Sequence, residues 1–186
     1  SDTPQLTVAN VSGVEDDAFI PLSITGSLTN SDGITIFTPD TSETVTVYVE
    51  KPSQVAKFVN TTTNAEVGTS STFDFGSGSV SAVALTNSEL TNLGIVTDGD
   101  VKTNFNLKVM ASSLDSGTFT AATSSLSTIT VSMSGKADPV NIEVNNSSSS
   151  STLPNSDENG VISIPIKLTL NDVDEDITLS IGNFRD

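Results

Sequence analysis

Ile20-Pro21-Leu22-Ser23-Ile24, near the start of the chain, is echoed by Ile164-Pro165-Ile166-Lys167-Leu168, 144 residues further on. The flanks repeat as well. Pro4-Gln5-Leu6-Thr7-Val8 precedes the first copy, and Pro139-Val140-Asn141-Ile142-Glu143-Val144 precedes the second. Leu28-Thr29-Asn30-Ser31-Asp32 follows the first, and Leu170-Asn171-Asp172-Val173-Asp174 follows the second. Self-similarity at a fixed spacing sets the fold unit before any other reading. This spacing suits tandem β modules, so the chain reads as a piece of an array and not as a self-contained enzyme.

Working outward, period-two alternation recurs. Val45, Val47 and Val49 alternate with polar neighbours between Glu43 and Glu50. The same pattern marks Phe73/Phe75, Val83/Leu85, Phe105/Leu107/Val109 and Ile129/Val131/Met133. Each run is short, β-rich and bounded by Gly, Pro, Asn, Asp or Ser, as half-buried strands are. About seven such runs before residue 136 predict an all-β sandwich. One helical patch is expected over Thr86–Leu93, capped by Thr86 or Asn87 and stopped by Gly94, bridging the two sheets. The linker falls at Gly135-Lys136-Ala137-Asp138-Pro139, where Asp-then-Pro repeats the character of Asp2-Thr3-Pro4. Residues 1–138 are therefore expected to form one complete sandwich. Residues 139–186 hold three or four strands, so they read either as the start of a second, similar module or as strands completing a larger single domain. The serine run 147–151 reads as a flexible loop.

Composition narrows the chemistry. The 186 residues carry 23 acids against 7 bases, a formal charge of −16, with no His and no Cys. Such a charge repels nucleic acid and anionic membrane, so neither is an expected partner. The acids stand singly or in twos and threes at turns, which suits cation sites better than a solvating tail. Nucleophilic catalysis by a His-activated Ser or Cys is excluded. Paired carboxylates can hydrolyse glycosides, but the chain has no Trp and only Tyr48 to form a sugar-stacking platform. No enzyme activity is expected. No apolar run is long enough to span a membrane, and no cleavable signal is visible. The chain therefore reads as an internal fragment or an export substrate of another kind. Without disulfides, bound metal is the expected bracing of an extracellular module.

At this point the residues resemble a known family. Gly13-Val14-Glu15-Asp16-Asp17-Ala18-Phe19-Ile20-Pro21-Leu22-Ser23-Ile24, Ser42–Val47, Ala84–Leu93 and Ala137-Asp138-Pro139 look like the extender repeats of giant bacterial RTX-type adhesins. The resemblance covers most of residues 1–138 and the opening of the next repeat. It implies Ig/cadherin-like sandwiches, type I secretion, an extracellular cell-surface location, calcium between modules, and a role in biofilm formation and attachment. Two departures stand out. Gly33-Ile34-Thr35-Ile36-Phe37-Thr38-Pro39-Asp40-Thr41 is an insertion, and Asn30 stands where Asp is commoner. The insertion keeps open a ligand-binding module of the same kind of adhesin, with a calcium-coordinated peptide or surface glycan as partner. It also reads as an extra edge strand on the sandwich. The glycine-rich calcium nonapeptides are absent, since Gly76-Ser77-Gly78-Ser79-Val80 lacks the required Asp.

Calcium takes six to eight oxygens and needs neither nitrogen nor sulfur, so acid-rich turns in a chain without His or Cys favour it over softer metals. Asp172-Val173-Asp174-Glu175-Asp176 begins like an EF-hand, but Ile177 stands where Gly is needed and Asn183 where a bidentate Glu is needed. Strand topology suggests a different site. Glu15 and Asp16, after the first strand, and Asp98 and Asp100, before the Phe105 strand, should share the exit pole. Asp138 lies in the linker, and Asp172 and Asp174 of the next module would face back toward them. At the entry pole Asp2, Asn30 and Asp32 would form half of an equivalent site, shared with a neighbouring repeat. An acid in a turn also serves as an Asx-turn former or keeps an edge soluble. Asp40, Glu66, Asp74 and Asp115 have no counterpart in the echo and read as solvated charges.

Overall fold

The computed structural model describes residues 2–29, 35–36, 43–117, 120–145, 160–170 and 176–182. The chain divides into two compact units, Ser1–Gly135 and Lys136–Asp186. The division falls within the Gly135–Pro139 stretch.

The first unit is all-β. Its strands are β1 (Thr3–Val8), β2 (Val11–Val14), β3 (Ile20–Pro21), β4 (Ile24–Thr29), β5 (Thr35–Ile36), β6 (Glu43–Glu50) and β7 (Val55–Asn60). They continue as β8 (Thr69–Asp74), β9 (Ser79–Thr86), β10 (Leu93–Thr97), β11 (Phe105–Asp115), β12 (Ala122–Thr123) and β13 (Ser127–Ser134). One layer orders its strands β2-β13-β11-β6-β9-β8, with β12 on β11. The other is built from β1-β4-β5 and β3-β10-β7. These two parts adjoin because β3 and β4 are one strand interrupted at Leu22 and Ser23. Across the interruption the Leu22 N–H donates to Leu93 O at 2.8 Å, and the Ala9 N–H donates to Ser23 O at 3.3 Å.

Alternation decides which face is buried. Val47 and Val49 of β6, Leu107 and Val109 of β11, and Ile129 and Val131 of β13 point into the core at 0–1% exposure. Ile20, Ile24, Phe58, Leu93 and Ile95 meet them from the facing layer. Fully burying each such side chain contributes about 1.5–3 kcal/mol. On the outer face of the larger sheet, Tyr48 stacks on Phe73 at a 4.1 Å centroid distance, and Phe73 meets Phe75 edge-on. The outermost strand there, β8, begins with four hydroxyl residues, Thr69-Ser70-Ser71-Thr72.

The expected helical patch is a single 3-10 turn, Asn87–Leu90, between β9 of one layer and β10 of the other. Thr86, one of the two caps read from the sequence, precedes it as N-cap, and Asn87 is the first residue of the turn. Gly94 is not its stop. Gly94 lies inside β10, where a Cβ would come within 2.6 Å of Thr61 Cγ2 and 3.1 Å of Ile20 O. Close backbone approach, and not termination, explains that glycine.

In the second unit, β14 (Asn141–Val144) pairs antiparallel with β15 (Ile166–Thr169). In the first copy of the echo β1 also runs antiparallel to β4, but in a different register: Val8 lies opposite Ile24, whereas Val144 lies opposite Ile166, the counterpart of Leu22. Glu143 and Lys167 are register partners, with Nζ and Oε2 3.7 Å apart. Ile142, Ile164, Ile166 and Ile181 remain 38–61% exposed. Among the described residues this sheet has two strands, too few to bury one face.

Candidate cation-binding poles

Strand β11 runs the length of the first unit. Phe105 pairs with Val131 near the end of β13, and Asp115 pairs with Glu43 at the start of β6. These two ends define the poles.

At the exit pole, β2 runs parallel to β13 and stops at a turn. The Asp17 N–H donates to Val14 O at 3.2 Å, and the Val14 N–H donates back to Asp17 Oδ2 at 2.9 Å. Asp16 sits in this turn with φ +65°, in the left-handed region that Asp tolerates better than most residues. Its side chain is exposed. Glu15 behaves differently. Its N–H donates to Ser134 O at 2.9 Å, and its side chain faces inward at 3% exposure. Lys102 Nζ stands 3.7 Å from Glu15 Oε2.

That contact places the 98–104 loop at the pole of Glu15. The Asp98 N–H donates to Gln54 O at 2.9 Å, Val101 is buried beneath the loop, and Asn104 Oδ1 accepts the Met133 N–H at 2.9 Å. Asp98 and Asp100 are carried on it, both exposed. The fold therefore gathers Glu15, Asp16, Asp98 and Asp100 at one pole, with Lys102 against the buried acid. Lys102 has no signal of its own in the sequence beyond standing two residues after Asp100. Among the described residues, no group of three or more acids is close enough to hold a metal ion. Asp138 belongs to the second unit, where it is half-buried. Asp172 and Asp174, like Asn30 and Asp32 of the entry-pole set, lie outside the described residues.

At the entry pole the inward-facing register of β6 ends on Glu43, in phase with Val45 and Val47. Glu43 is 8% exposed. Its Oε1 accepts the Asp2 N–H, while the Asp2 carbonyl accepts the Ser113 hydroxyl. Its Oε2 is buried with no hydrogen-bond partner among the described residues. Asp115 is its cross-strand register partner, and like charges directly opposite one another destabilise a sheet. Sequence reasoning misses Glu43 too, because there it serves only to bound a strand. Its phase with the valines is the available signal.

Comparison with known families, curated proteins and solved structures finds no match to this chain.

Two further acids hold the fold in place. Asp74, read from the sequence as a solvated charge, accepts the N–H groups of Gly76 and Gly78 on Oδ1 at 2.8 and 2.9 Å and so shapes the β8–β9 turn. Glu89 Oε2 accepts the Thr86 N–H at 2.8 Å and the Thr86 hydroxyl at 2.7 Å, and Oε1 accepts the Gly68 N–H at 3.0 Å. The Thr86 bonds hold the Glu89 carboxyl below its ordinary pKa, with Gly68 adding to the effect and burial opposing it.

Proposed function

We propose that this chain is a calcium-stabilised extracellular module of a bacterial surface adhesin, serving cell adhesion and biofilm formation as a rigid spacer among neighbouring repeats. The reading is of a structural module and not of an enzyme. The observation that carries it is Glu43, a glutamate 8% exposed, with one carboxylate oxygen buried and without a hydrogen-bond partner among the described residues. A buried carboxylate with one oxygen left unsatisfied is costly, and a bound cation would compensate it.

The donor set fits a hard ion. Glu43 and Asp2, with Asn30 and Asp32, would hold calcium at the entry pole. Glu15, Asp16, Asp98 and Asp100 would supply oxygens at the exit pole. When bound, the ion neutralises carboxylates that otherwise repel one another across a hinge. Extracellular modules bind calcium at roughly 10⁻⁴–10⁻³ M. Ligand at tenfold its dissociation constant stabilises by about 1.4 kcal/mol per site, enough to bias a hinge. Small-angle scattering and thermal melts in chelator and in millimolar calcium test the reading. A higher melting temperature and a longer, stiffer particle are expected in calcium; identical curves and melts would refute it.

A second reading, a calcium-dependent ligand-binding module, has one observation in its favour. An open groove lies between β4 and the 3-10 turn, lined by Ile24, Gly26, Ser27, Asn87 and Leu90. The insertion contributes β5 to the edge of the same strand, with Leu28 opposite Ile36. A peptide or surface glycan is the expected ligand. Screening peptide and glycan panels with and without calcium separates binder from spacer.

A further inference from the structure

The first strand of the sandwich changes sheet part-way along. β1 pairs with β4 in the smaller layer over six residues, Thr3 opposite Thr29 through Val8 opposite Ile24. After Ala9 and Asn10, β2 joins the larger layer and runs parallel to β13, with Val11 opposite Val131 and Val14 opposite Ser134. Asp2 is fastened at the entry pole by Glu43 and Ser113. Gly135 follows β13 at the exit pole. The two ends of the unit are thus separated by roughly the length of β11, about 34 Å at a strand rise of 3.4 Å per residue.

Tension between those ends acts along the strands. β2 is drawn toward the entry pole while its parallel neighbour β13 is drawn toward the exit pole. The two must slide past each other, so every bond of the ladder bears load at once. β1 is drawn along β4 in the same manner. Two contacts extend the ladder beyond its four register pairs. The Glu15 N–H donates to Ser134 O at 2.9 Å below it, and Asn10 Oδ1 accepts the Thr130 N–H at 2.9 Å above it.

We propose that the first unit is a load-bearing element, and that the switched strand β1–β2 is a shear clamp that fastens both sheets against tension applied at Asp2 and Gly135. This goes beyond the calcium reading and leans on it only for the source of the tension.

The chain has no cysteine, so introduced pairs are unique attachment points. Asp2→Cys with Gly135→Cys, in the full chain, applies force along the strands and leaves the backbone bonds of residue 2 in place. Ala18→Cys with Gly135→Cys puts both handles at the exit pole, where the same force peels β2 from β13 bond by bond. Thr3→Cys replaces Asp2→Cys if the latter melts early. Forced unfolding reads the barrier and not the equilibrium, so variants of equal melting temperature can differ. The first geometry is expected to unfold at a force at least about twofold above the second at matched loading rate. Equal forces in the two geometries would overturn the clamp. The comparison is made in chelator, so its failure leaves the calcium reading standing, and the failure of calcium stiffening leaves the clamp standing.

Discussion

Lys102 places its ammonium 3.7 Å from the carboxylate of Glu15, a side chain buried to 3% exposure at the exit pole. The lysine is the protein's own cation at a pole otherwise rich in acids, so it stabilises the turn and competes with any metal that would use Glu15. Removing one partner of a buried pair costs about 3–5 kcal/mol. Lys102 itself is 30% exposed, which lowers the expectation for Lys102→Met to about 1–2 kcal/mol in chelator, by urea denaturation. Millimolar calcium should recover part of that loss. An unchanged denaturation midpoint would show that the pair contributes nothing.

Glu43→Gln should reverse sign with calcium. The amide oxygen still accepts the Asp2 N–H, while the buried charge is gone. In chelator the variant is expected to be more stable than the parent by about 1 kcal/mol. In millimolar calcium it should be less stable, because the ion loses a ligand. Calorimetry in the two buffers checks both arms. A variant less stable than the parent by the same amount in each buffer would remove Glu43 from the cation site.

Acid titration should report Glu89. Its folded pKa lies below the ordinary 4.5, so between those values the unfolded chain binds more protons than the folded one. The contribution is fully present above the unfolded pKa and is lost as pH falls through the folded pKa. Glu89→Gln should therefore show a flatter fall in stability below about pH 4.5 than the parent. Equal slopes in denaturation series at several acid pH values would argue against the Thr86 bonds as the cause.

Two glycines with positive φ separate strain from collision. At Gly76, φ +96°, an added Cβ would meet nothing within 4 Å, whereas at Gly68, φ +80°, it would fall 2.2 Å from Val83 Cγ1. Gly76→Ala should cost about 1 kcal/mol, the left-handed penalty alone. Gly68→Ala should cost about 2–4 kcal/mol, because overpacking adds to it. Urea midpoints of the two variants give the comparison.

The strands most legible in the sequence are those with one wet face. Val45, Val47 and Val49, Phe105, Leu107 and Val109, and Ile129, Val131 and Met133 all alternate, and they form β6, β11 and β13. β7 and β10 escape that pattern because their burial does not alternate. Phe58 and Val59 are adjacent and both buried, and so are Leu93, Gly94 and Ile95. The apolar spacing of Leu90 and Leu93 then extends the 3-10 turn into an apparent longer helix.

Legibility of the poles is uneven for a different reason. Acids at turns, such as Asp16, Asp98 and Asp100, announce themselves by composition. A buried acid does not, because only its phase within a strand gives it away. Glu43 shares the phase of Val45 and Val47, and Glu15 that of Gly13, with its N–H held by Ser134. Asp74 misleads in the opposite direction, since an Asp beside two glycines satisfies backbone donors as readily as it meets water.

The hydroxyl-rich margin Thr69-Ser70-Ser71-Thr72 has a consequence for chains that string such domains together. Adjacent copies emerge at very high local concentration, and an open strand margin invites one copy to stitch onto the next before either has matured. Small hydrated side chains offer little greasy surface to consolidate that mistake, and the surplus of negative charge drives siblings apart. Faithful assembly of a long series would then be secured by its least sticky strand, quite apart from how firmly each core is packed.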